Sequence, residues 1–254
     1  MQHERYQLGK NVPVTDLRTL RFERYLGATL PPPPAAVSWS TGVRRWPMYL
    51  NDRYGDCTCA AVGHMVEAWT ASVHQPHTPT DAAVLQMYEH FTPPGPENGC
   101  NMLDVLKYWR TVGIDRDRIN AFALLGRGSV AQARQAVALF GGCYIGLALP
   151  QYVVDVPDLL QAEWTMASFG TRGAGAPDPE NGHCVNAVGY DAESLYVVTW
   201  GTIKAMSWAF YHAYSDESYA VLSADFLARG LTPAGFNLAQ LNTDLAAIGS
   251  ARAA

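Results

Sequence analysis

The chain has 254 residues, 48% hydrophobic and 16% charged, enough apolar material to bury one large domain or two lobes. A formal net charge of -5 and the lack of any Lys/Arg cluster exclude the concentrated positive charge that nucleic acid requires, so no nucleic-acid partner is expected. No stretch approaches the ~20 apolar residues of a membrane helix, and MQHERYQLGK lacks the apolar core of a signal peptide; a cytoplasmic protein with no membrane partner is the expectation.

Residues 1–36 read as an N-terminal extension, because they end in Pro31-Pro32-Pro33-Pro34, a run that can form neither a helix nor a central strand. The extension is expected to lie across the surface of the main domain, which takes in residues 37–254. From Cys57 to His74, Ala60, Ala61, Met65, Ala68 and Trp69 recur at helical spacing and predict a buried helix starting near Cys57. A second helix is predicted over 81–90 with Thr80 as its cap, and a third over 103–112 ended by Gly113. A fourth is predicted over 130–140, between Ser129 as cap and Gly141-Gly142 as stop. The segments 143–149, 184–190, 195–201, 205–214 and 218–223 are short, β-branched or aromatic, and bounded by Gly, Asp and Ser, so they read as antiparallel strands. A last helix over about 236–249 carries Leu238, Leu241, Leu245 and Ile248 on one face. Helices followed by strands give an α+β fold, with a helical lobe over about 50–128 and a β lobe over about 129–230 facing a cleft.

Five cysteines at irregular spacing do not form a disulfide framework, and an odd number leaves at least one thiol free. In NDRYGDCTCAAVGHM the pair Cys57 and Cys59 admits several readings. Cys59 lies about 200° round the helix from Cys57 and is expected to face the core. A zinc site from Cys57, Cys59 and His64 lacks a second ligand pair at familiar spacing, so no metal and no cofactor is expected. Cys57 itself is either a small core residue or a nucleophile. Attack on a carbonyl needs a thiolate, which a helix N-terminus and a nearby imidazole favour. Cys57 has the first by position. His183 is the best candidate for the second, since it opens a strand just after the loop GAGAPDPENG. Of the other histidines, His64, His90 and His212 are expected to make local hydrogen bonds and His3, His74 and His77 to be solvated. Cys184 alternates away from His183 and is expected to be buried.

Those residues carry a resemblance. VSWSTGVRRWPMYLNDRYGDCTCAA resembles the start of mature papain-like cysteine proteases, with Trp39 eighteen, Pro47 ten and Asn51 six residues before Cys57. His183 to Tyr190 resembles the family's histidine strand, and Trp200-Gly201 its next strand. ENGCNMLDVLKYWRTVGI and ARQAVALFGGCYIGLAL resemble further family segments in the right order, so the likeness spans roughly residues 35 to 223. It implies a papain-like two-lobe fold in which Cys57 is the nucleophile and His183 the general base and later acid. The Cys57 N–H and the Asn51 side-chain amide would then stabilise the oxyanion. Trp200 would shield the histidine, and the extension, shorter than the family's usual pro-regions, would stay attached.

The chain departs from the family at four places. Asn51 stands where the family has Gln, and its alternative reading is a turn residue bonded to its own backbone. Val198 stands where the family has the asparagine that orients the histidine; the adjacent Thr199 is expected on the other face. Tyr54 removes the family's common disulfide, and Cys100-Asn101-Met102 replaces glycines that line the cleft. The reading is a cysteine-dependent hydrolase or acyltransferase with a peptide or amide substrate, and the alternative a non-catalytic papain-fold binding or structural protein. The oligomeric state is not legible.

Overall fold

The computed structural model describes residues 6–26, 32–92 and 98–223, together with Ala239 and Thr243. The helix expected over 236–249 lies outside the described residues. Helix α1, Cys57–Ser72, is the axis of the fold: all but one of its 16 residues are buried, so it is core on every side rather than amphipathic. Its small residues allow close approach, most tightly at Gly63, where a Cβ would sit 2.6 Å from the Tyr49 ring.

Helix α2, Asp81–Phe91, starts where expected, with the Thr80 side chain accepting the Ala83 N–H. Helix α3, Met102–Thr111, is capped by Asn101. Helix α4, Val130–Phe140, is capped by Ser129 and ends at Gly141, whose φ of 73° is the left-handed stop expected of a glycine. The Trp69 indole donates to the Phe140 carbonyl at 2.6 Å, tying α1 to the end of α4.

The sheet has seven strands: β1 Val37–Ser38, β2 Ile119–Leu124, β3 Cys143–Ala148, β4 Gly182–Tyr190, β5 Ser194–Thr199, β6 Thr202–Ser207 and β7 Ser215–Ser223. They run β2-β7-β3-β4-β5-β6 with β1 beside β4, and every named pairing is antiparallel. Period-two alternation divides the core between the sheet's faces. Cys143, Ile145, Leu147, Val185 and Ala187 join one cluster with α4, while Tyr144, Cys184, Tyr219 and Val221 join the other with α1 and α3. Helix α1 packs on β4, which brings the ends of these two elements together.

Two expectations are corrected. The run 205–214 is not one strand: it is strand only to Ser207, whose hydroxyl caps a helix, Trp208–Tyr214, that buries Phe210, Tyr211 and Tyr214. Residues 119–124, read as part of the helical half, are the strand β2 because β7 supplies their ladder. The N-terminal segment is also more than a surface wrap. Phe22 and Tyr25 are fully buried, Pro34 accepts from the Tyr190 hydroxyl at 3.0 Å, and residues 7–11 hydrogen-bond to Asn51, Gly182 and Cys100.

Candidate active site

Cys57 is the first residue of α1, so the open N–H groups and positive dipole end of the helix lie beneath its sulfur. His183 is the second residue of β4. The packing of α1 on β4 brings Cys57 to the start of that strand: its thiol takes a hydrogen bond from the backbone of Cys184, the residue after His183. Trp200 stacks on the imidazole with ring centroids 4.4 Å apart and planes 20° apart. The chain turns sharply there, with Trp200 itself at a left-handed φ of 45° followed by Gly201 at 73°.

The orientation of His183 is settled by Thr199, not by the position before it. His183 Nε2 lies 2.7 Å from Thr199 Oγ1, so strand alternation runs opposite to expectation. Val198 points away, into a small cluster with Trp46, Ala68 and Val188. If Nε2 carries the proton and donates to Oγ1, Nδ1 keeps its lone pair, and among the described residues Nδ1 has no hydrogen-bond partner. A signal was present in the sequence, since Thr is the only residue in VVTW whose side chain can accept a hydrogen bond, but the alternation had no anchor to choose its phase.

Asn51 is buried in the turn before α1, where Tyr49 and Leu50 take left-handed φ values of 54° and 68°. Its Nδ2 donates to the Tyr54 carbonyl at 3.0 Å. The turn-residue reading therefore holds, and one amide proton remains for another acceptor.

Burial dominates the electrostatics. Cys57 and His183 are each only 1% exposed. Burial, with the neighbouring Asp56 adding to it, pushes the Cys57 thiol up to about 12 against the help of the Cys184 backbone, and burial lowers His183 to about 3. The pair is thus held neutral, where the helix dipole alone suggested a thiolate. The chain's own N-terminal segment lies against the backbone flanking both residues. Gln7 N–H donates to the Asn51 carbonyl, the Trp200 indole donates to the Gln7 carbonyl, and the N–H groups of Gly9 and Lys10 both reach the Gly182 carbonyl. Gly9 and Asn11 bracket Cys100 in a parallel bridge. The fit is close: a Cβ on Gly9 would lie 1.9 Å from the Gly55 carbonyl oxygen.

The remaining thiols are structural. Cys59, Cys100, Cys143 and Cys184 are buried and unpaired, as is Cys57. His64 bonds the Pro47 carbonyl and His212 the Gly128 carbonyl, as expected, whereas His77 is not solvated but lies 2.7 Å from Asp117. Among the described residues no helix is long and apolar enough to cross a membrane.

This helix-and-sheet arrangement is the papain-like cysteine-protease fold. Its similarity to xylellain, a cysteine protease from Xylella fastidiosa, is extensive: TM-score 0.65 over 87% of this chain and 98% of that one, at 13% identity. A cysteine protease of Carica candamarcensis, solved in complex with E-64, gives 0.51 over 74% of this chain and 98% of that one, at 13% identity. Digestive procathepsin L 3 of Tenebrio molitor gives 0.54 over 87% and 77%, at 12% identity. The sequence itself matches no family model and no curated protein.

Proposed function

We propose that the protein is a cysteine-dependent hydrolase of peptide or amide bonds, with Cys57 as nucleophile and His183 as proton carrier. The observation that carries this is the imidazole itself: it is pinned by Thr199, stacked on Trp200 and left with an unpartnered Nδ1, on the residue next to the one whose backbone bonds the thiol at the head of α1. In the reaction the thiol proton passes to Nδ1 and the sulfur adds to the carbonyl carbon. The oxyanion takes hydrogen bonds from the Cys57 N–H and the free proton of Asn51 Nδ2. His183 then gives the proton to the leaving nitrogen as the C–N bond breaks, leaving a thioester. Water, deprotonated by the same imidazole, displaces the thiolate and yields acid; an amine in its place makes the enzyme an acyltransferase.

The resting chain is latent on this reading, because residues 7–11 exclude both water and substrate from the neutral pair. Its five unpaired thiols fit a reducing compartment such as the cytoplasm. The test is covalent labelling by a peptidyl epoxide after the segment is displaced, read by peptide mass spectrometry. Cys57 should be the residue modified, with His183→Ala abolishing the reaction and leaving the fold intact. Equal modification of Cys59 or Cys184, or labelling indifferent to His183, would instead favour a papain-fold binding protein.

A further inference from the structure

Beside the thiol lies a pocket that the hydrolase reading does not use, and it already holds a ligand. Lys10 is 4% exposed, although lysine is rarely buried without a partner. Its Nζ donates to Asp216 Oδ2 at 2.7 Å and to the Asn11 carbonyl at 3.0 Å, and stands 3.7 Å from Glu217 Oε1. Both carboxylates retain unused capacity, since Asp216 Oδ1 and Glu217 Oε1 are buried without a hydrogen-bond partner among the described residues. Tyr219 fixes the other Glu217 oxygen at 2.8 Å.

The pocket is shaped for an alkyl stem as well as a charge. Gly146 of β3 pairs with Cys184 on one side and with Glu217 on the other, so the pocket floor is one residue removed from His183. A Cβ on Gly146 would lie 2.3 Å from Lys10 Cε and 2.6 Å from Met102 Sδ. Only glycine leaves room there for the aminobutyl chain. The backbone on either side of Lys10 is held by Gly182 and Cys100, polar groups that an extended peptide from any source would meet.

We infer that the pocket formed by Gly146, Met102, Asp216 and Glu217 is the specificity site for a lysine or arginine side chain of the substrate, next to the bond that Cys57 attacks, and that Lys10 fills it in cis. The location relative to the bond rests on the hydrolase reading; the preference for a basic side chain does not. Two paired acids would favour a cation and reject an acidic or apolar residue, which leaves them buried and uncompensated.

The test uses the full chain with Gly9→Ala and Lys10→Ala together, which removes the cis side chain and blocks the segment's return against Gly55. The probe is the peptide acetyl-Gln-Leu-Gly-Lys-Asn-Val-Pro-amide carrying a dye, measured by anisotropy against the same peptide with norleucine for lysine. Peptidyl-coumarin amides with the same exchange give kcat/KM. Binding of the lysine peptide at least ~10-fold tighter, with the difference removed by Asp216→Asn plus Glu217→Gln, is expected. Equal binding of the two peptides, or binding of neither, overturns the inference. If the double variant does not fold, Gly9→Ala alone, which lifts the segment from Gly55 and so withdraws Lys10, carries the same comparison. Lysine-selective binding with no turnover and no Cys57 labelling would sink the hydrolase reading and leave the pocket standing; turnover indifferent to lysine would do the reverse.

Discussion

Replacing Gly9 by Ala should uncover the thiol. The new Cβ would lie 1.9 Å from the Gly55 carbonyl oxygen and 2.4 Å from its carbon, both backbone atoms that cannot turn aside. The segment must therefore lift, taking with it the Gly9 N–H bond to Gly182 and the Gly9 carbonyl's bond from Cys100, and weakening the neighbouring Lys10 and Asn11 bonds. At ~0.5–1.5 kcal/mol net for each bond, losing two outright and part of two more comes to about 2–3 kcal/mol. The covered state has little in reserve, because ordering each residue of the segment already costs ~1–2 kcal/mol. A buried thiol reacts in proportion to the population of open molecules, so 2–3 kcal/mol corresponds to about 30- to 150-fold faster alkylation. The assay is iodoacetamide modification at pH 7, quantified for each cysteine by mass spectrometry. Cys57 should accelerate while Cys59 and Cys143, buried by helix and sheet rather than by the segment, should not. A folded Gly9→Ala protein whose Cys57 reacts no faster than wild type would refute the idea that residues 7–11 gate the site.

In the wild-type chain Cys57 alkylation should be slow at pH 6 and still rising above pH 9, because burial holds the thiol up to about 12; a rate plateau near pH 6 would show a thiolate already present. Thr199→Val removes the partner of His183 Nε2 and, once the segment is displaced, should slow acylation by an activated ester about tenfold, on the order of 1.5 kcal/mol. Val198→Asn should change that rate by less than about twofold, because its side chain faces Trp46 and Val188 rather than the imidazole; a marked gain would restore position 198 as the orienting site. Stability should vary little between pH 4.5 and 6.5 through cancellation. Burial depresses His64 to about 4 and His183 to about 3, so their contribution is present above 6.5 and lost as pH falls; Glu67 and Glu217 are raised to about 7, so theirs is present below 4.5 and lost as pH rises. Glu67→Gln removes one opposing group, and its urea midpoint should climb with pH across that window where wild type stays level, by at most ~1.4 kcal/mol per pH unit; parallel pH profiles for the two proteins would count against the burial argument.

What the sequence determined by itself was whatever depends on neighbours within a few residues. Thr80 and Ser129 each accept an N–H three positions on, and Gly141 takes the left-handed turn, so α2 and α4 were legible with their starts. The position of Cys57 at the head of α1 and the opening of β4 at His183 were legible for the same reason, with Trp200 following as the shield. Tertiary structure decided the rest. An isolated VVTW has period two but no phase; pairing of Val198 with Asn186 and Ile203 chose which of two adjacent side chains meets the imidazole. INAFAL became a strand only because β7 lay beside it, and Trp208–Tyr214 left the ladder because Ser207 caps it and the core takes up its aromatics. The charge state of the pair was decided in the same way. Helix-dipole reasoning is local and favours a thiolate, whereas desolvation depends on chain brought in from a distance, and here residues about 50 positions earlier bond to the backbone flanking the site. Nor does Lys10, in a polar run near the N-terminus, carry any local mark of burial: only folding brings it to Asp216 and Glu217, more than 200 residues away, where two carboxylates make the interior tolerable for a charge.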